Sequence, residues 1–562
     1  MPASKRKAKK ITIEPKKSSN AGQHICSFFI ICSFSAVFLL HLLSIVYLPF
    51  LHHDVAGYLT AGQMLVGGAR PYVDIIDTNF PMIMYISAIP AWISSLTHAP
   101  LATAGIVFFF CTVLFTMLFF VKILKIAFPE LAWQQLLFVC TAWLYSSCFT
   151  YWFFNFGQRE QLIFLFLAPF FVLRHARYAQ VRVPLYLSTL IALIAFCGVA
   201  IKPFYILPIL AVELLHALAY RRFLKPLLSP ETRAFVFAGI VYLAHFYFFA
   251  GMSAFYDYWL GFMMRGYIRG TAYAIGAESS MQLLQQKHFI YAYCGVAAVL
   301  SLLILYNRRS LFLLATCFGW FACVTVGFFI GQKKGWPYHL LPFYCSCYMG
   351  GALLCLACRK SFDKIKGAYM PVLAAAAVIM VLSACPMPFM VLRAALVNAP
   401  FHFEKNELVK TIESLTGPDD GVLFLDTATR PGFPALTYAG RKLGGRFLTT
   451  FPLAFFFKDS DDYVPKKELR EDEAKFYGML EKDIDVFRPK LIFVRTGQLL
   501  ATDDYFRLHE YLSRRGFLKK IFSSYTYMGL FEGTKFVEDA RFAESPKFEL
   551  WRYTGNDATK QN

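Results

Sequence analysis

Three carboxylates, Asp54, Asp74 and Asp77, fall in one stretch that opens His52-His53-Asp54-Val55-Ala56-Gly57-Tyr58 and closes Asn79-Phe80-Pro81. Gly67-Gly68 and Pro71 break it into short amphipathic pieces. It follows directly on a long apolar run, and a carboxylate held at a membrane edge is costly unless it is paired or used. Cations recur farther along, in Gln158-Arg159-Glu160, in Lys202-Pro203 and in Lys333-Lys334-Gly335-Trp336-Pro337-Tyr338-His339. One carboxylate cluster facing several cations at an apolar boundary suits group transfer from an anionic lipid. A carboxylate would take the proton of an acceptor hydroxyl, and Lys or Arg would hold a phosphate.

Each of these residues also has a purely structural reading. Asp74 and Asp77 can be helix caps or solvated loop residues, and Arg159-Glu160 can be a local ion pair. Lys202 can snorkel to the interface, and Trp336, Tyr338 and His339 can form an interfacial aromatic belt. Glu213, inside an apolar run, can pair with a neighbour. His52 and His53 suggest metal, but two adjacent histidines lack a third ligand at fixed spacing. Cys345-x-Cys347 and Cys355-x-x-Cys358 lie in an apolar run without companion histidines and read as buried small side chains.

The elements that must position these residues are membrane helices. Of 562 residues, 57% are hydrophobic, 18% aromatic and only 16% charged, against about 25% charged in ordinary soluble domains. The net charge of +20 does not indicate nucleic acid. The basic residues fall in short clusters between apolar runs, as in loops facing an anionic leaflet. After the polar tail 1–24, residues 25–51 are long enough to span, and no small-x-small cleavage site follows, so a retained anchor is expected. Further spans read at 101–121, 133–153, 161–174, 184–201, 203–220, 234–251, 287–306, 310–330, 340–358 and 369–392.

Residues 80–96 are apolar but short, and broken by Pro81 and Pro90. Kept along the outer surface, they leave 22 basic residues on the inner side and seven outside. That asymmetry favours eleven spans, with the N-terminus in and the C-terminus out. The expected fold is a polytopic α-helical membrane module over 25–392, with a first outer loop at 51–100. A soluble α/β unit is expected over 393–562, outside the membrane, with a helix over 406–415 and strands at 421–426, 490–495 and 548–553.

The runs His52-x-Asp54-x-x-x-Tyr58-Leu59, Gly67-Gly68-x-x-Pro71-Tyr72-x-Asp74 and Asp77-x-Asn79-x-Pro81 resemble the first outer loop of the GT-C glycosyltransferases. Within that superfamily they resemble bacterial relatives of the protein O-mannosyltransferases and of the lipid A aminoarabinose transferases. The resemblance implies a multi-pass enzyme of the bacterial inner membrane that moves a sugar from a polyprenyl-phosphate donor to a lipid or polysaccharide acceptor of the envelope at the outer face. It maps the proposed catalytic base onto Asp54.

Relatives commonly carry Lys-Pro-Pro or His-Pro-Pro where this chain has Asn79-Phe80-Pro81. The phosphate cation is therefore expected from Arg159, Lys202, Lys333 and Lys334. Asp74, Asp77, Asn79 and Glu160 would orient sugar hydroxyls or Asp54, and Trp336, Tyr338 and His339 would contact sugar or lipid. A phosphate leaving group needs no metal, although sister branches use a divalent ion. Two other classes fit the topology. A lipid-linked-sugar transporter would put charges near the midplane and show repeat symmetry, and an assembly scaffold would not need Asp54.

Overall fold

The computed structural model describes residues 20–46, 51–148, 155–251, 256, 295, 311–332, 336–358, 369–384, 406–457, 463–496, 506–532 and 547–555. The described residues between 20 and 384 are mostly helical: α1 Asn20–Val46, α2 His53–Val66, α3 Met82–Thr97, α4 Leu101–Ala127, α5 Trp133–Cys148, α6 Arg159–Tyr178, α7 Leu185–Ile201, α8 Ile206–Tyr220, α9 Pro230–His245, α10 Leu311–Gln332, α11 Leu341–Ala357 and α12 Tyr369–Ala384. Six described segments are long and apolar enough to cross a membrane by themselves; α3, α7 and most of α12 are shorter apolar helices. The chain is a multi-pass membrane protein. Apart from residue 295, the span expected at 287–306 lies outside the described residues.

Two helices carry most of residues 51–100. The Nδ1 of His52 caps α2 by accepting the Asp54 N–H at 3.1 Å, which leaves Asp54 in the first helical turn, where the helix dipole favours an anion. α2 ends at Gly67-Gly68, where Gly68 has φ +91°, the conformation glycine adopts without strain. α3 packs against α2 so closely that a Cβ on Gly62 would lie 2.4 Å from the Ser87 carbonyl. The pair is a buttressed hairpin with Val55, Ala56, Tyr58 and Leu59 facing inward.

α6 is the central strut, with nearly every residue from Arg159 to Ala176 buried. Its N-terminal end carries Arg159 and Glu160. At its other end Arg174 bonds Glu213 of α8 through Nε and Nη2, and Ser229 and Glu231 through Nη1. Arg177 bonds Glu231 as well, and Tyr178 bonds Glu213. Glu213 therefore takes the neighbour-pairing role expected of it. At 1.5 Å per residue the two charged ends of α6 are roughly 22 Å apart.

Residues 406–555 hold a five-stranded sheet in the order β2-β1-β3-β5-β4. The strands are β1 Gly421–Leu425, β2 Lys442–Leu443, β3 Leu491–Arg495, β4 Tyr525–Glu532 and β5 Lys547–Tyr553. β2, β1 and β3 are parallel; β5 runs antiparallel to β3 and to β4. Helices α13 Glu407–Leu415, α14 Gly432–Ala439 and α15 Arg470–Phe487 accompany it. Both faces of β3 are buried, as its run Leu491-Ile492-Phe493-Val494 requires.

This sheet unit docks on the stretch from Leu51 to Ile76. Ile76 N–H donates to Arg446 O at 2.7 Å and Leu448 N–H to Ile76 O at 3.2 Å, a one-residue parallel bridge. The Thr437 hydroxyl of α14 donates to Ala56 O at 3.2 Å and lies 3.3 Å from the Thr60 hydroxyl, and the Tyr438 hydroxyl accepts Leu51 N–H at 3.0 Å.

Candidate functional site

The first turns of α2 and α6 meet at Asp54. Gln158, the residue before α6, is held by its neighbour Gly157, whose φ is +81° and whose missing Cβ would lie 2.7 Å from the Phe109 ring. Gln161 reaches back to the Gly157 N–H at 2.7 Å and closes the turn. The Gln158 Nε2 then forks, donating to His52 Nδ1 at 2.7 Å and to Asp54 Oδ2 at 3.2 Å. His53 Nε2 stands 3.5 Å from Asp54 Oδ1. Asp54 keeps 20% of its side chain exposed, so a substrate can reach it.

Electrostatics set the protonation states. Burial pushes the Asp54 carboxyl up, but His53, His52, Arg159 and the Gln158 amide outweigh it and hold it below the ordinary carboxylate range. Burial pushes His52 down to about 4, against the attraction of Asp54. Burial, His52 and Arg430 push His53 down as well. At neutral pH an ionised carboxylate thus sits between two neutral imidazoles, the state a general base needs.

Arg159 lies beside this group. Its Nη1 donates to Asn79 Oδ1, and its guanidinium covers the Tyr58 ring at 5.4 Å. Asn79 Nδ2 donates in turn to Asp77 Oδ2 at 2.9 Å, and Tyr72 holds the Asn79 carbonyl at 2.8 Å. Asp77 is pushed up by burial, offset in part by Asn79 and the Thr78 N–H. Where relatives place a loop cation, this chain has Asn79 bonded to a cation from another helix. Four buried atoms here have no hydrogen-bond partner among the described residues: Tyr58 Oη, Gln158 Oε1, Arg159 Nε and Glu160 Oε2. Unsatisfied buried polar atoms are rare and need a reason. Donors on Arg159 and Tyr58 suit a bound oxyanion.

Lys202 reaches the same area from the far end of α7. Pro203 keeps the preceding residue out of the helical region, and Lys202 has φ −143° and ψ 98°. Its ammonium bonds Glu160 Oε1, and His339 Nε2 stands 3.6 Å from that oxygen. Trp336 stacks on Tyr338 at 5.9 Å, and Tyr338 meets the His52 ring edge-on at 5.9 Å. The structure therefore brings together Asp54, Asp77, Asn79, Arg159, Glu160, Lys202, Trp336, Tyr338 and His339. It does not bring Asp74, which pairs with Arg70 at 3.3 Å in an exposed turn. Lys333 and Lys334 lie outside the described residues.

The ligand atoms of His52, His53 and Asp54 lie within 4.8 Å of one another. Both Nδ1 atoms already accept hydrogen bonds, from Gln158 and from Arg430. A neutral ring that accepts at Nδ1 carries its proton on Nε2. As they stand, the histidines orient Asp54, and metal binding would require them to exchange tautomers.

Sequence reasoning weighed His52 and His53 only as metal ligands, and it missed Arg430. The loop after a parallel strand was the available signal, since α/β sheets build sites at strand C-termini.

No family model matches the chain, and no curated sequence does. ArnT from Cupriavidus metallidurans bound to undecaprenyl phosphate is similar over 94% of this chain and 98% of its own, with TM-score 0.53 and 10% identity. ArnT from the same organism in the apo state has TM-score 0.47, 12% identity and the same coverage. This likeness in three dimensions shows the fold: the chain shares the architecture of ArnT.

Proposed function

We propose that this protein is an inner-membrane glycosyltransferase that moves a sugar from a polyprenyl-phosphate donor to a hydroxyl of an envelope lipid or polysaccharide at the outer face. The observation that carries the reading is a partly exposed Asp54 that accepts from Gln158, with His53 and Arg159 beside it. The fold shared with ArnT, a protein crystallised with undecaprenyl phosphate, supports a lipid-linked donor. Asp54 takes the acceptor hydroxyl proton as that oxygen bonds the anomeric carbon. The bond from that carbon to the phosphate oxygen breaks, and polyprenyl phosphate leaves with the electron pair. Arg159 and the Tyr58 hydroxyl offset the charge on the departing phosphate. Lys333 and Lys334 are further candidate cations for it, and Lys202 acts on it through Glu160. Asp77 and Asn79 hold Arg159 in place; Trp336, Tyr338 and His339 line the approach of sugar or lipid. The sheet unit lies outside the membrane over this site.

The test is sugar transfer from a labelled polyprenyl-phosphate donor pool in membranes. Asp54→Asn should lower kcat about 10²–10⁴-fold, the usual contribution of a general base, at unchanged protein level. Arg159→Ala should weaken protection of the protein against heat by added undecaprenyl phosphate. Transfer undiminished in Asp54→Asn would remove Asp54 from the mechanism and with it this reading.

A further inference from the structure

The first turn of α2 is held from two sides. On the membrane side Gln158 bonds His52 and Asp54. On the other side Arg430, in the loop between β1 and α14, donates from Nε to His53 Nδ1 at 2.7 Å. The Arg430 backbone is itself anchored by the sheet: its carbonyl accepts Arg495 Nη2 at 3.0 Å. Arg495 ends β3 and closes a buried ion pair on Asp426, the residue after β1. The C-terminal edge of the parallel strands, where α/β sheets place their ligands, is here turned toward the base of the membrane module.

We propose that Arg430 is a positioning residue by which the sheet unit completes the transfer site, holding the His53 ring so that its Nε2–H faces Asp54. This rests on the transferase reading. A neutral imidazole has one proton to place. With Nδ1 accepting from Arg430, the proton sits on Nε2, 3.5 Å from Asp54 Oδ1, and steadies the carboxylate without neutralising it. With Nδ1 protonated instead, the Nε2 lone pair would face the carboxylate and repel it. The contacts of Thr437, Tyr438 and Ile76 with the outer loop fix the distance over which Arg430 reaches. Asp54 is thus ready for an acceptor only while the sheet unit is docked.

The experiment is a double-mutant cycle on transfer with the full chain: wild type, His53→Ala, Arg430→Ala and the pair. Each single change should lower kcat about tenfold or more with the donor KM nearly unchanged, and the pair should be no worse than His53→Ala alone, because residues acting as a unit are not additive. Arg430→Lys, which keeps a donor, should recover part of the loss. Additive losses, a loss confined to KM, or full activity in Arg430→Ala would overturn the proposal. A second readout needs no transfer. In protein carrying ¹⁵N-histidine, assigned through His53→Asn, the His53 signals should show an unprotonated Nδ1 in the wild type and a tautomer mixture in Arg430→Ala. Wild type without transfer would sink the transferase reading, while identical His53 signals in the two proteins would sink the role of Arg430.

Discussion

Asp54 is surrounded by groups that keep it charged and by histidines that do not compete for its proton. This has a consequence for pH. An ordinary histidine beside the base would titrate near 6.5 and bend the rate profile there. His52 is lowered to about 4 by burial, and Asp54 lies below the usual carboxylate range. The sign follows directly: above both values His52 is neutral and Asp54 ionised, and as pH falls through about 4, protonated His52 binds the carboxylate and blunts it as a base. Sugar transfer should therefore be flat from roughly pH 5.5 to 8 and fall only in stronger acid; a half-point near 6.5 in a pH–rate profile would contradict this environment. Linkage runs the same way. A histidine with a lowered folded value costs stability as pH drops below its unfolded value.

At the scale of elements, the helix starts decide the site. The α6 start needs Gly157, because φ +81° is strained for any side chain by about 1–2 kcal/mol and a Cβ would meet Phe109. Gly157→Ala should shift Gln158 and Arg159 off their partners and lower transfer about tenfold or more, since small misplacements weigh heavily on catalysis. Its loss of heat stability should stay modest, and equal, small losses in both measurements would show that the turn is merely structural.

Much at this scale is legible in the chain. The apolar runs at 101–121, 184–201, 310–330 and 340–358 are helices, because contact with lipid or protein on every side demands unbroken apolar sequence, and the runs at 421–426, 490–495 and 548–553 are strands with buried apolar positions. β2 and β4 were not read. β2 has two residues, and β4, Tyr525–Glu532, is an edge strand mostly exposed on both faces, so neither carries a burial pattern to read.

The whole molecule separates two charged centres along α6. At the end away from Asp54, Arg174 ties α6 to α8 and to the start of α9. Removing one partner of a buried ion pair leaves an uncompensated charge and costs about 3–5 kcal/mol. Arg174→Leu should reduce folded protein and its heat stability by that order, while the transfer rate per folded molecule stays near that of wild type. A matching loss of specific activity in detergent-purified protein would mean that the two ends are coupled.

The sequence by itself determined that the chain is a helical membrane protein and drew attention to Asp54 and Arg159, because hydropathy, charge placement and local spacing act over short stretches of chain. It also carried the resemblance to the GT-C enzymes, in the runs from His52 to Leu59, from Gly67 to Asp74 and from Asp77 to Pro81. Only the tertiary structure decided that Asn79 is bonded to Arg159, that Lys202 serves Glu160 and that Arg430 reaches His53. Those pairings join residues as far apart in the chain as 53 and 430. The pairing of one buried polar group with another depends on which helix ends and sheet edges pack together, and no local pattern in the chain encodes it.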